Sequence, residues 1–119
     1  MRILLTTIVF GSVIVSAGCS NISDAGYYWG DYSETYLQII RKPSPESSAK
    51  HIKQLRKILA KSQSKNLKPP PGINAELAFL LSETEGQGTP EEIANLYSTE
   101  AQIYPESKVF IEKLTGASL

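Results

Sequence analysis

Cysteine, histidine and paired carboxylates are the side chains of this 119-residue chain best suited to covalent, acid–base or metal chemistry, and they are few. There is one cysteine, Cys19, and one histidine, His51. A structural zinc site draws four ligands mostly from these two residue types, so the usual sets cannot be assembled. No nucleophile elbow, P-loop or glycine-rich dinucleotide turn is present. Glu83 lies near Glu85, and Glu91 adjoins Glu92. The first pair falls at the end of an expected helix and the second at the start of one, where the helix dipole favours acidic residues. His51 stands among lysines, with no carboxylate close in sequence to orient it, and reads as a surface histidine. No catalytic residue, metal ligand or cofactor is assigned, and the chain reads as something other than an enzyme.

What remains is the chemistry of the Cys19 thiol. Residues 3–15 form an uncharged apolar run behind Arg2, ending in Ser16-Ala17-Gly18-Cys19. A membrane-spanning helix needs roughly 20 apolar residues, so this run reads as a signal peptide. Small side chains before a cysteine resemble the lipobox of bacterial lipoproteins, although Ser16 stands where that motif prefers leucine. The resemblance implies diacylation of the Cys19 sulfur, cleavage after Gly18, and acylation of the new amino group, with palmitate labelling as its readout. The alternative is an ordinary secretory signal, or a short membrane anchor, with Cys19 a free thiol. A lone unpaired thiol would be a liability in an exported protein, which favours lipidation. Two acyl chains anchor stably where one does not. Ser20, rather than Asp, follows the cysteine; by the sorting rule of such lipoproteins this implies the outer membrane, facing the periplasm.

Removing residues 1–18 of the 119 leaves 101, enough for one compact domain. Its charge is divided. Residues 41–68 hold nine basic side chains against Glu46 alone, while residues 69–119 hold eight glutamates against Lys108 and Lys113. Residues 19–26 read as a lipidated tether and residues 27–119 as a single domain.

The elements that must position these groups are helices. Asp31 or Ser33 can cap a first helix, in which Tyr32, Tyr36, Ile39 and Ile40 share one face and are assigned to the core. Ser44-Pro45 opens a second, with Ile52, Leu55, Ile58 and Leu59 inward and Lys50, Lys53, Lys57 and Lys61 outward. Residues 62–71 read as a loop ending in three prolines. A third helix begins near Asn74, with Leu77, Leu80 and Leu81 inward, and Gly86 or Gly88 stops it. Thr89-Pro90-Glu91-Glu92 reads as a capping box opening a fourth, which buries Ile93, Leu96 or Tyr97, Ala101 and Tyr104 and ends at Pro105. A short fifth helix, residues 107–114, offers Val109, Phe110 and Leu114, and Gly116 releases the tail. The expected fold is all-α, about five helices. Residues 74–105 also align with a degenerate tetratricopeptide repeat, with Leu77, Leu80, Ile93 and Tyr97 at packing positions and Glu100 in place of an alanine. The alternative is a generic bundle with the same burial pattern.

Two surfaces are candidates for binding. Four of the six tyrosines and the only tryptophan fall within residues 27–36. Tyr28 and Trp29 precede the helix and are free of its periodicity, so they are the candidate partner-binding rings if the segment is more than core. Lys50, Lys53, Lys57 and Lys61 are either a solvated helix face or a stripe for anionic lipid or lipopolysaccharide phosphates.

Tyr28-Trp29-Gly30-Asp31-Tyr32, residues 70–77 (Pro-Pro-Gly-Ile-Asn-Ala-Glu-Leu) and Tyr104-Pro105-Glu106-Ser107 together resemble a proteobacterial lipoprotein family, domain of unknown function 4810. The likeness spans nearly all of the chain after residue 18. It implies company with a lipoprotein similar to the curli-secretion channel subunit and with a third small lipoprotein, and it carries over no catalytic residues. Three readings follow: a non-enzymatic accessory or scaffold subunit of an outer-membrane lipoprotein complex, a module binding anionic surfaces, or an unrecognised periplasmic enzyme, the first being preferred. No nucleic-acid partner is assigned.

Overall fold

A computed structural model describes residues 26–119. Five helices follow one another: α1 (Tyr32–Arg41), α2 (Pro45–Ser64), α3 (Ile73–Glu83), α4 (Pro90–Ile103) and α5 (Lys108–Thr115), the last entered through a 3-10 turn at Pro105–Ser107. There is no β-strand among the described residues, and the domain is all-α. None of these helices is long and apolar enough to cross a membrane. The leader, the tether up to residue 25 and the lipidation expected at Cys19 lie outside the described residues.

Local chemistry sets the helix ends. Ser44 and Ser47 cap α2 reciprocally: each side-chain oxygen accepts the other's backbone N–H at 3.0 Å, with Pro45 at the first helical position. The helix outruns the loop expected from residue 62. Nothing in Ser62-Gln63-Ser64 stops it, and Ser62 is buried. It ends where Asn66 turns left-handed at φ 53. There the Leu67 N–H reaches the Ser62 carbonyl and the Asn66 N–H reaches that of Gln63, a Schellman ending that an asparagine can tolerate. Thr89 caps α4 by accepting the Glu92 N–H at 3.1 Å. The Glu92 carboxylate faces the Thr89 backbone N–H, as a capping box requires, and also pairs with Arg56 of α2. Helix α3 ends at Glu83, earlier than Gly86 or Gly88. Gly88 serves packing: a Cβ there would lie 3.0 Å from Leu81 Cδ1.

Each helix packs on the next in sequence: α1 on α2, α2 on α3, α3 on α4, and α4 on the 3-10 turn and α5. The main core joins Tyr28, Ile52, Leu55, Ile58, Ile73, Leu77 and Leu81. A second cluster joins Ala78, Tyr97 and Ile111. Each fully buried aliphatic side chain contributes about 1.5–3 kcal/mol, so the sequence assignments for α2 and α3 carry most of the stability. Those for α1 and α5 need correction. In α1 the buried residue is Thr35. Tyr36 is 42% and Ile40 57% exposed, because α1 lies on α2 through the Thr35 face. In α5 the buried side chain is Ile111, and Val109, Phe110 and Leu114 are exposed. This eight-residue helix packs chiefly on α4 and the preceding turn, so one narrow stripe suffices.

Gly30 governs the entry to α1. Its φ is +51, and a Cβ would lie 2.6 Å from the Gln54 amide nitrogen and 3.2 Å from the Tyr28 hydroxyl. Both the backbone angle and the space demand glycine. The turn folds Tyr28 into the core, while Trp29 packs partly buried against it. This corrects the outward placement expected of both rings. The segment's exposed ring is Tyr36.

Candidate functional site

Two regions gather the polar chemistry, and they meet at Glu76. The first lies under α1. His51 is fully buried, not the surface residue expected. Its Nδ1 lies 2.7 Å from Thr35 Oγ1 and its Nε2 lies 2.8 Å from Glu76 Oε1. The Tyr32 hydroxyl donates to the other Glu76 oxygen at 2.8 Å. Beside a carboxylate, which only accepts, Nε2 carries the proton. Tyr32 stacks on Tyr36 at 5.7 Å between ring centroids and meets the Trp29 ring edge-on at 5.4 Å. Burial, with the Glu76 carboxylate as its hydrogen-bond partner, pushes the Tyr32 phenol well above its usual range.

The order hydroxyl, imidazole, carboxylate is that of an activated nucleophile. The surroundings tie it to architecture instead. Thr35 is buried, and its Oγ1 also lies 3.2 Å and 3.1 Å from the Asp31 and Tyr32 carbonyls of its own helix. Such back-bonding competes for its single proton, and Thr35 offers only 4% of its surface to solvent, at the edge of a cleft lined by Asp31, Lys50 and Gln54. The cluster fastens α1, α2 and α3 together.

The second region is open. A groove of about 650 Å³ runs between the start of α3, the end of α4 and α5. Phe79, Phe110 and Leu114 give it apolar walls, and Glu76, Glu100 and Glu106 give it acid. Among the described residues no lysine, arginine or histidine lines it. Glu100 forms its floor and is 2% exposed. Its Oε1 accepts the Gly72 N–H at 2.6 Å, so a carboxyl from α4 sits at the N-terminus of α3, where the helix dipole favours it. Gly72 is the N-cap of α3 and has no side chain with which to do this itself. Glu100 Oε2 is buried and has no hydrogen-bond partner among the described residues. Tyr104 closes one end, its hydroxyl donating to the Pro69 carbonyl at 2.6 Å. Burial, followed by the neighbouring Tyr27, pushes the Tyr104 phenol upward.

The sequence candidates are placed apart from this groove. Lys50, Lys53, Lys57 and Lys61 are all exposed on α2, and among the described residues none forms an ion pair. Lys50, Lys53 and Lys57 border a shallow cleft with Asp31 and Glu34 of the α1 region, so part of the stripe faces carboxylates of its own chain. Tyr28 is withdrawn into the core. The groove itself was missed. Its acids are scattered across 31 residues, and its one sequence signal was Glu100 at a position where a repeat would have alanine. His51 also had a signal: it stands four residues before Leu55 and seven before Ile58, on the inward face of α2. No group of three or more potential metal ligands occurs among the described residues.

Residues 27–114 match the family model described as domain of unknown function (DUF4810). The match covers most of the chain, and this protein belongs to that family. No curated protein and no solved structure matches the chain.

Proposed function

We propose that this protein is a non-enzymatic lipoprotein, anchored through lipid on Cys19 to the outer membrane and facing the periplasm. It acts there as an accessory or scaffold subunit of a lipoprotein complex, with a subunit similar to the curli-secretion channel among its partners. The observation that carries this reading is the groove with its exposed rim. Phe79 and Phe110 stand 42% and 63% exposed beside three carboxyls, and clustered exposed aromatics with a polar rim mark interaction surfaces. The Ser16-Ala17-Gly18-Cys19 motif and the apolar run before it supply the anchor. The packing of α3 on α4 fits the repeat-like hairpin, an architecture that serves protein–protein contact.

Affinity capture of the full chain from its native membrane is the test. Other lipid-anchored subunits should co-purify with the wild type and be lost with Phe110→Glu, whose exposed site leaves the fold intact. Cys19→Ser should abolish palmitate labelling and signal processing together. Labelling that persists in that variant, or capture of the wild type alone, would overturn the reading. A second reading is favoured by the exposure of Lys50, Lys53, Lys57 and Lys61 on a single helix: they form a face for anionic lipid or lipopolysaccharide phosphates. It requires salt-sensitive binding to anionic vesicles that reversal of two of these charges weakens.

A further inference from the structure

The groove asks for an occupant with two properties. Its walls call for apolar side chains, and Glu100 and Glu106, which have no basic neighbour in its lining, call for positive charge, while Glu76 is already paired with His51. The buried Glu100 oxygen sharpens the second requirement, because the field of a carboxyl under low-dielectric walls is weakly screened.

The chain itself exposes such a segment. Leu37, Ile40 and Arg41 stand at i, i+3 and i+4, one face of α1, and Lys42 follows as the C-cap. Leu37 is 42% and Ile40 57% exposed, and both basic residues are exposed. This face is therefore an apolar ridge that ends in two cations. In its own molecule α1 is already fixed on α2, so only another molecule can deliver the ridge to the groove. The division of charge along the sequence suits the same arrangement, since the ridge opens the basic stretch and the groove belongs to the acidic one. The α2 stripe is a poorer occupant, for it offers lysines without large apolar side chains.

We propose that the groove receives the end of α1 from a second copy of this chain, with Leu37 and Ile40 against Phe79, Phe110 and Leu114, and Arg41 and Lys42 toward Glu100 and Glu106. The inference rests on the reading of the groove as an interaction surface and names its occupant. The contact is heterologous: each copy engaged through its ridge still offers its groove, so association continues until a ring closes or a filament grows.

The test uses the full chain in detergent, with micelles in excess over protein, followed by sedimentation velocity. The wild type should form species larger than a monomer, their share rising with concentration and falling with salt. Ile40→Glu blocks the ridge and Phe110→Glu blocks the groove; both positions are exposed, and circular dichroism checks the fold. Each variant alone should remain monomeric. Mixed in equal amounts they should form a dimer and nothing larger, because only one ridge and one groove remain compatible. A wild type that stays monomeric, either variant associating alone, or a mixture that stays monomeric overturns the proposal. Should Phe110→Glu also lose the membrane partners while the mixture stays monomeric, the groove serves a different chain, and the subunit reading survives without this one.

Discussion

The cluster around His51 and the groove beside Glu100 are built from the same materials, carboxyls set among aromatic and aliphatic side chains. In the first, the imidazole and both Glu76 oxygens find partners inside the chain. In the second, a carboxyl oxygen is buried with no donor among the described residues, and two phenylalanines face outward. The difference lies in what each region leaves for others to supply. A buried polar group costs stability unless it is paired, so a closed cluster reads as architecture. An open region that retains such a cost reads as a place where something else completes the structure.

The sharpest way to break that contrast is to delete one residue from each side. His51→Ala leaves a cavity and removes the partner of both Thr35 and Glu76; it should lower the unfolding free energy by roughly 3 kcal/mol. Phe110→Ala should stay within about 0.5 kcal/mol of wild type. Chemical denaturation of the full chain measures both, and equal losses would abolish the distinction.

Gly30→Ala tests the closed side from its edge. The new methyl group meets the Gln54 amide at a left-handed backbone angle, and a loss of more than about 1 kcal/mol is expected in the same denaturation assay.

Alkaline titration is the next smaller effect. Folding raises the Tyr32 phenol above its unfolded value, so its contribution is complete below pH 10, the ordinary tyrosine value, and is lost as pH rises toward the folded one. Ultraviolet difference spectra should show a late-ionising phenol that disappears in Tyr32→Phe.

The smallest effect lies in acid. Arg56, hydrogen-bonded to Glu92, holds that carboxyl below its usual range. The pair therefore stabilises above the ordinary glutamate pKa, and its effect is lost as pH falls through the depressed value. Both side chains are partly exposed, so Arg56→Gln should change the melting temperature little at neutral pH and less still in acid.

Much of the fold was legible because its signals are local. Ser44-Pro45 and Thr89-Pro90 marked helix starts, and Ile52, Leu55 and Ile58 marked an inner face. The site was less so, because its partners lie far apart in sequence. His51 meets a carboxylate 25 residues onward, and Glu100 caps a helix whose N-cap, Gly72, lies 28 residues before it. Periodicity also supposes a broad buried face on every helix. Helices α1 and α5 each bury a narrow one, which is why Tyr36, Ile40, Phe110 and Leu114, inward by periodicity alone, are exposed.

The link from Glu100 to Gly72 has a consequence for how the chain opens and closes. The first amide of α3's cap is satisfied only when α4 is docked, since glycine brings no oxygen of its own. The beginning of α3 and the end of α4 are therefore parts of one cooperative unit, and their amides exchange with solvent through the same opening event. A chain released from synthesis as far as residue 83 would hold α3 with a frayed start, to be completed only about three turns into α4, when Glu100 arrives.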